Sequence, residues 1–385
     1  CLLINCGNYI FFTVFKNKNK KSFYNVLGIM TGTSMDGIDI SLIKTNGTDQ
    51  VKIINEKSYD YSINIQKKIK KIVEKKPVNI NKIKKYFENN EEEINKIFIY
   101  FINKFLKEFK IKRNFINVIS LSGQTMYHNP SKGISIQLGS GKVIANEFKI
   151  KTVSNFRDND IRHKGQGAPI GSYYHKYILS KLNNKTIIIN LGGIANFTAI
   201  YKNNIFSSDI GPANCIVDDL CNYFFKKKFD EKGYLSSRGK PIYKILNNYR
   251  KDRFFKKKIP KSLDRNYFNK YINKLKKIDK YDSLCTATYM VLVGLENFIN
   301  INKFQIDSII LTGGGRKNNF LLKIFKNNIN KKIELIDSLK INGDLVEAQM
   351  FAYIGIRSIK KLILSSKYTT GVNKSISGGK LYNPS

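Results

Sequence analysis

Three short stretches gather the residue types that can hold and transfer phosphate. "GTSMDG" (Gly32 to Gly37), "DIGPAN" (Asp209 to Asn214) and "TGGGRKN" (Thr312 to Asn318) each follow an apolar run. Glycine lets backbone N–H groups come close to phosphate oxygens because it has no Cβ. Thr33 and Ser34 add hydroxyl donors. Asp36 and Asp39 repel phosphate; they suit the water shell of Mg²⁺, or they fix the loop by accepting its N–H groups. No GxxxxGK[ST] occurs, so this is not a Walker A loop. Any one cluster alone reads as a structural turn. Together they suit a β-phosphate hairpin, a γ-phosphate turn carrying an acid, and an adenosine-side turn.

The flanking patterns say what must position these turns. "VLGIM" and "IDISLIKT" read as strands around the loop Thr31 to Gly37, a hairpin with an enlarged polar tip. Residues 81–110 read as helical, with Ile94, Ile97, Phe98, Phe101, Ile102, Phe105, Leu106 and Phe109 on one core-facing stripe. "NVISLSGQT" is a short buried strand running into a polar turn. "TIIINLGG" is a second strand ending in paired glycines, with "NFTAIY" as its hairpin partner. "SSDIGPAN" reads as an acid–glycine turn leading into the apolar run "CIVDDLCNYFF". "SIILTGGGRKNNFLLKIF" reads strand, turn, helix. "GDLVEAQMFAYIGIRSI" reads as a helix with acids in its first turn, where the helix dipole favours them. The strand–loop–strand opening thus occurs twice, about 160 residues apart, which predicts two α/β domains with a cleft between them.

Bulk composition agrees. A chain of 385 residues with 42% hydrophobic residues exceeds one core and can fill two. The formal charge of +38 is spread along the chain in runs such as "KNKNKK", "IQKKIKKIVEKK" and "RFFKKKIPKSL", mixed with Asn and Ile. That is the surface drift of an A+T-rich genome, not the clustered basic and aromatic surface of a nucleic-acid binder. Cys1, Cys6, Cys215, Cys221 and Cys285 are odd in number and lack CxxC spacing, so neither a disulfide framework nor a zinc site is expected, and a reducing cytoplasm fits. His128, His163 and His175 form no metal-binding pattern. "CLLINCGNYIFFTVF" precedes its basic run rather than following one, and is short for a membrane span of about 20 residues. Residues 1–22 therefore read as an extension outside the fold, and no membrane is expected.

The order of hairpin loop, acid–glycine loop, late GGG turn and final helix resembles the actin, hexokinase and heat-shock ATPase superfamily. Over residues 25–385 the chain more closely resembles the anhydro-N-acetylmuramic acid kinases. The resemblance is carried by "GIMTGTSMDGIDI", "SGQTMYHNP", "IQLG", "NFRDNDIRHKGQGAPI", "INLGGIANFT", "DIGPANCIVDD", "TGGGRKNNFL", "VEAQMFAYIGIR" and "TGVNKSISGGKLYNP". It implies an α/β fold of the two-domain, actin-like ATPase (ribonuclease H-like) type with ATP in the interdomain cleft. The first domain is expected over 23–185, completed by about 355–385, and the second over 186–354.

The resemblance also implies a cytoplasmic, homodimeric enzyme of murein recycling. With ATP, Mg²⁺ and water it would convert 1,6-anhydro-N-acetylmuramic acid to N-acetylmuramic acid 6-phosphate. Asp209 matches the family's catalytic aspartate, a general base toward the water that opens the anhydro ring. Gln124 and Thr125 match its sugar-contacting turn, Arg157 an arginine suited to the lactyl carboxylate, and Glu347 a glutamate for sugar hydroxyls or water. ATP would be held by Gly32, Thr33, Ser34, Met35, Asp36, Gly37, Ile38 and Asp39. Gly192, Gly193, Gly211, Asn214, Gly313, Gly314 and Gly315 would complete its site. No protein metal ligand is expected. The chain departs from the family pattern at Ser122, where a histidine is usual, at Asn155 for aspartate, at Lys164 for glycine, and at Ile210 and Ala213 within the acid–glycine loop. These departures leave open a catalytically silent relative that binds nucleotide or sugar. Another sugar kinase of the same fold would share the ATP loops but not "SGQTMYHNP" or "NFRDND".

Overall fold

The computed structural model describes residues 22–385, apart from 33, 78, 184, 264 and 303. Thr33, and all but the last residue of the expected 1–22 extension, lie outside the described residues. The first sheet opens with β1 (Tyr24–Met30), β2 (Gly37–Thr45) and β3 (Val51–Asp60), an antiparallel meander. It continues through β4 (Val118–Leu121) and, beyond a small hairpin of β5 (Gln124–Asn129) and β6 (Ile134–Leu138), β7 (Thr152–Ser154). The second sheet is β8 (Thr186–Leu191), β9 (Ile194–Tyr201), β10 (Asn204–Pro212), β11 (Ser308–Thr312) and β12 (Lys332–Leu335). The C-terminal β13 (Lys380–Tyr382) adds to β7.

The two sheets have one topology. Their orders are β3-β2-β1-β4-β7 and β10-β9-β8-β11-β12, with β13 extending the first. In each, a three-strand meander leads and two strands then join parallel to its first member. Parallel neighbours need long crossovers, and helices supply them. In the first unit these are α1 (Ile63–Glu74), α2 (Ile80–Glu88), α3 (Glu91–Glu108) and α4 (Gly141–Phe148), followed by α5 (Asp158–Arg162) and α6 (Ser172–Leu179). In the second they are α7 (Asn214–Phe225), α8 (Tyr243–Arg250), α9 (Arg253–Lys256), α10 (Asn269–Leu275), α11 (Lys280–Ile301) and α12 (Asn319–Asn328). The single helix read over 81–110 is thus two, broken at Asn89–Asn90; the apolar stripe of α3 is buried as its spacing requires.

Strand alternation assigns the cores. On β8, Ile187 and Ile189 face α11 and α12. Ile188 faces the opposite way, into a core shared with Val26 and Ile43 of the first sheet, α6, and α13 (Val346–Ile359). Helices α6 and α13 therefore lie between the sheets. Helix α13 packs on β1, β2 and β4, so the expected boundary at 354/355 falls inside it; the return to the first unit begins at Val346. Helix α11 is the one described helix long and apolar enough to cross a membrane, and it is largely buried against α7, α8 and β10.

Helix α13 packs on β1 at backbone distance. A Cβ on Gly28 would stand 2.1 Å from the Ala348 carbonyl oxygen and 2.7 Å from Ala352 Cβ. One on Gly355 would stand 2.6 Å from Ser120 Oγ, which donates to the Phe351 carbonyl at 2.5 Å. Gly28→Ala is expected to lever α13 off the sheet and cost about 2–3 kcal/mol. Equilibrium denaturation checks this, and Thr125→Ala on the small hairpin should stay within about 0.5 kcal/mol of wild type.

Candidate active site in the interdomain cleft

The β1–β2 tip is held from behind. The Thr31 N–H donates to Ser122 Oγ at 3.2 Å, and Gln124 Nε2 donates to the Gly32 carbonyl at 2.9 Å. Gln124 Oε1 is buried without a partner among the described residues. Met35 takes a left-handed φ of 57° at the turn, Ser34 Oγ bonds the Asp36 carboxylate, and Ile38 is wholly buried in the first core. Asp39 accepts from Ser58 Oγ at 2.5 Å. Burial raises its pKa to about 6, with Glu347, Asp344 and Asp36 pushing the same way.

Facing this tip, the second sheet presents Asn214 and three glycine positions. Asn214 Nδ2 donates to the Leu191 carbonyl at 3.0 Å, and the N–H groups of Ala213, Asn214 and Cys215 donate to the carbonyls of Gly192 and Gly193. The helix α7 is thereby fastened to the β8–β9 turn. Gly313, at φ 79°, leaves no room for a side chain: a Cβ would lie 2.3 Å from Asn190 Oδ1. At Gly192, Gly193 and Gly314 a Cβ would meet no protein atom closer than 3.6 Å. Those three have no side chain although the protein leaves space for one, which is the signature of a surface kept clear for a ligand. Ser34, Asp36, Gly192, Gly193, Asn214, Gly314 and Gly315 share one cavity of about 880 Å³, ample for a nucleotide.

A second cavity, about 380 Å³, adjoins it through Gly192 and Gly314 and is lined by Arg157, His175, Asn190, Asn196 and Glu347. Glu347 stands in the first turn of α13 and accepts from Asn190 Nδ2 at 3.4 Å. It keeps contact with cleft water, yet the crowding walls raise its pKa, against the Asn190 bond and the Arg157 charge. The guanidinium of Arg157, at the start of α5, makes no hydrogen bond or ion pair among the described residues; burial lowers its pKa, with Glu347 and Asp160 opposing. The "GQGAP" wall is held by buried Asp160, which accepts from the Gly167 N–H at 2.6 Å and from Thr370 Oγ1 at 2.5 Å. Buried His175 is held neutral, its pKa lowered to about 4, and its Nδ1 bonds Thr198 Oγ1 at 2.8 Å.

Asp209 does not sit in a turn, as its glycine neighbour suggested. It lies in β10, with a bulge between it and Gly211. Register places it opposite Asn196, and Asn196 opposite Asn190, so one polar row runs from the β10 edge to Glu347. Its carboxylate accepts from the Leu263 N–H at 2.7 Å. Burial raises its pKa to about 7, against that bond and the charge of Lys261. Asp209 lines a third cavity, of about 340 Å³, with Phe255 and Lys261. Gln124 and Thr125 line none of the three; Gln124 acts on the hairpin.

Asn190, Asn196, Asp160, Lys261 and Leu263 were not singled out by the sequence. The signal for the two asparagines was present, as amides inside the otherwise apolar strands "TIIINL" and "IANFTAI".

A duplicated sheet of this order, with glycine turns facing one another over a cleft, is the actin-like ATPase architecture expected from the sequence. The family profile described as anhydro-N-acetylmuramic acid kinase matches residues 24–384. The kinase of that name from Pelagibacter ubique is 34% identical over 373 residues, 94% of this chain and 99% of that one. The one from Zymomonas mobilis is 31% identical over 363 residues, 92% of this chain and 99% of that one. Among solved structures, the activator of 2-hydroxyisocaproyl-CoA dehydratase from Clostridium difficile with bound ADPNP aligns over 87% of this chain and 96% of that one, at 11% identity and a TM-score of 0.45. The chain belongs to the anhydro-N-acetylmuramic acid kinase family.

The two kinds of glycine should separate experimentally. Gly314→Ala is expected to leave the thermal midpoint within about 2 °C of wild type and to weaken ATP binding at least about tenfold, since a methyl enters cleared space. Gly313→Ala should instead lower the midpoint by several degrees. Calorimetric melting and ATP titration of both variants check the pair.

Proposed function

We propose that the cleft carries out the family's reaction, ATP-dependent phosphorylation of 1,6-anhydro-N-acetylmuramic acid with hydrolytic opening of its anhydro ring, in cell-wall recycling. The observation that carries this is Arg157. A guanidinium without a protein partner, crowded by protein and facing a cavity with Glu347, is costly unless an anion completes it. The lactyl carboxylate is such an anion, and the fork of N–H donors suits it. Glu347, fixed by Asn190, would hold sugar hydroxyls or the attacking water.

Asp209 would act as general base. A carboxylate raised to about 7 by burial is still partly ionised at neutral pH and holds a proton better than an ordinary aspartate. It takes the proton of the water that attacks the anomeric carbon. The C1–O bond breaks, and the freed O6 takes the γ-phosphoryl group of ATP. The hairpin N–H groups, Asn214 and Gly192–Gly193 would cradle the phosphates. Asp36, Asp39, Asp344 and Glu347 form an acidic field at that end, met among the described residues by Arg157 and by the Asp344 partners Arg316 and Lys317. Such a field fits Mg²⁺ carried in with the phosphates. Among the described residues no three His, Cys, Asp or Glu side chains converge to bind a metal by themselves, so Asp36 and Asp39 would hold its water shell. When bound, the ion would spread the charge of phosphoryl transfer. Buried, unbridged Cys221 and Cys285 suit a reducing cytoplasm.

The departures from the family pattern fall on structural positions. Ser122 accepts from Thr31. Asn155 adopts a left-handed φ of 58° and donates to Asp158 Oδ2, where an aspartate would repel. Lys164, at φ 62°, is exposed. Ser122, Asn155 and Lys164 line none of the three cavities, which favours an active kinase over a silent relative, while Ile210 lines the one beside Asp209.

The direct test is ADP release from Mg-ATP with and without the anhydro-sugar, with mass detection of the 6-phosphate. Sugar-independent ADP release alone would remove the reading. Arg157→Ala should raise KM for the sugar about 10–100-fold, the range of one or two charge-assisted bonds, with KM for ATP little changed. An anhydro-sugar lacking the lactyl group should discriminate poorly between that variant and wild type.

Asp209→Asn should abolish turnover while ATP still binds. It should also stabilise the fold, with a definite pH dependence. Because the native pKa lies above the unfolded one, the native state binds the extra proton between about pH 4 and 7 and loses that advantage as pH rises through 7. The variant's gain in melting temperature is therefore expected at pH 8 and should vanish near pH 4.

A further inference from the structure

We propose that the loop from Asp252 to Tyr271 is a positioning strap for the general base, with Lys261 as its positioning residue and the Leu263 N–H selecting which oxygen of Asp209 meets water. This rests on the reading of Asp209 as the base.

The loop is clasped at its ends. Asp252 is buried and accepts from the Phe254 N–H at 2.9 Å, Tyr267 OH at 2.7 Å, Tyr271 OH at 2.9 Å and Lys270 Nζ at 2.6 Å. Burial alone would raise its pKa, but these donors hold it down at about 2. Between the clasped ends, the chain lies along the open edge of β10. The Asp209 N–H donates to the Lys261 carbonyl at 3.0 Å, the Lys261 N–H donates to Ser208 Oγ at 2.8 Å, and Ser208 Oγ donates back to the Lys261 carbonyl at 3.0 Å. The Leu263 N–H then reaches Asp209 Oδ2. Oδ1 has no hydrogen bond among the described residues, so it is the oxygen left to receive a proton.

Lys261 is not a free surface cation. Its Nζ donates to the carbonyls of Phe254 and Phe255 at 3.0 and 3.2 Å, which fixes the charge beside Asp209. Burial and the neighbouring Lys257 lower its pKa to about 8, with Asp209 opposing. Of the other groups facing Asp209, Lys256, Lys257 and Lys258 are exposed at the cavity rim. Helix α11 contributes neutral Asn297, the residue capping its C-terminus neutral Asn302, and β9 neutral Asn196. Among the described residues Lys261 is thus the held cation, and it favours the ionised base.

The test compares Lys261→Met with Lys261→Arg in the full chain. The acid limb of kcat/KM should move up by on the order of one pH unit in the methionine variant and return in the arginine variant, with KM for ATP within about twofold of wild type. The Asp209 carboxyl, assigned by its loss in Asp209→Asn, is titrated by ¹³C NMR without ATP or sugar and should shift the same way. An unshifted titration in Lys261→Met overturns the proposal. So does a kcat loss equal at every pH that arginine does not restore. Should the methionine variant not fold, Lys261→Gln takes its place. A wild-type protein without sugar-dependent product would instead defeat the general-base reading, and the titration would still decide whether the strap tunes Asp209.

Discussion

The approach of α13 to β1 at backbone distance is the contact on which the rest of the site depends. It is possible because Gly28 has no side chain to hold Ala348 and Ala352 away. With the helix that close, its buried face joins the core shared by both sheets. Its first turn is then carried to the cleft, which brings Glu347 to Asn190 across 157 residues of sequence. The helix also reaches the opposite meander edge: Gln349 Nε2 donates to Glu56 Oε2 at 2.7 Å and accepts from Tyr174 OH at 2.8 Å. One element thus ties the first sheet, the second sheet and α6 together, and it is the one that presents Glu347 to the cleft.

A polyanionic ligand imposes the other half of the design. Backbone N–H groups can meet phosphate without charge, but only where no Cβ intervenes. Gly192, Gly193 and Gly314 have that clearance, whereas Gly313 and Gly315 are small because β8 and Asn214 press on them. The run "GGG" therefore contains two different requirements. Arg316, directly after it, binds Asp337 and Asp344 and the Gly313 carbonyl. That clamp joins the GGG turn to the loop leading into α13, so the walls of the two adjoining cavities are set by shared bonds.

Much of this was legible in the sequence because the relevant signals are local. The hairpin tip, the paired glycines of β8, the GGG turn and the stripe of α3 follow from periodicity and glycine placement within a few residues. The identical sheet orders were visible only as a repeated opening, since register and crossovers depend on contacts far apart in sequence. The boundary read at 354/355 falls inside α13 for the same reason: a helix pattern does not reveal which sheet it packs on. Asp209 was read into a turn because Gly211 and Pro212 follow it, whereas pairing with β9 keeps it in strand up to a bulge. Gln124 reads as a sugar contact in sequence, and only the folded chain shows its Nε2 donating to the Gly32 carbonyl.

The lysines show most sharply where composition stops informing. Of the eleven described non-glycine residues at positive φ, eight are lysines, among them Lys149 and Lys226 at helix ends where glycine is the usual solution. Those positions are exposed, where the strain of a Cβ is tolerated. The run "RFFKKKIPKSL" has the same composition, and Lys256, Lys257 and Lys258 within it are exposed in the same way. Yet Lys261, three residues on, is half-buried and bonded to two carbonyls beside Asp209. Nothing in the run distinguishes it, because its placement is set by Asp252 before it and by Tyr267, Lys270 and Tyr271 after it. A compositional bias therefore hides a positioned charge only where the constraint on that charge is tertiary, and such a charge is found by following its hydrogen bonds rather than its neighbours in sequence.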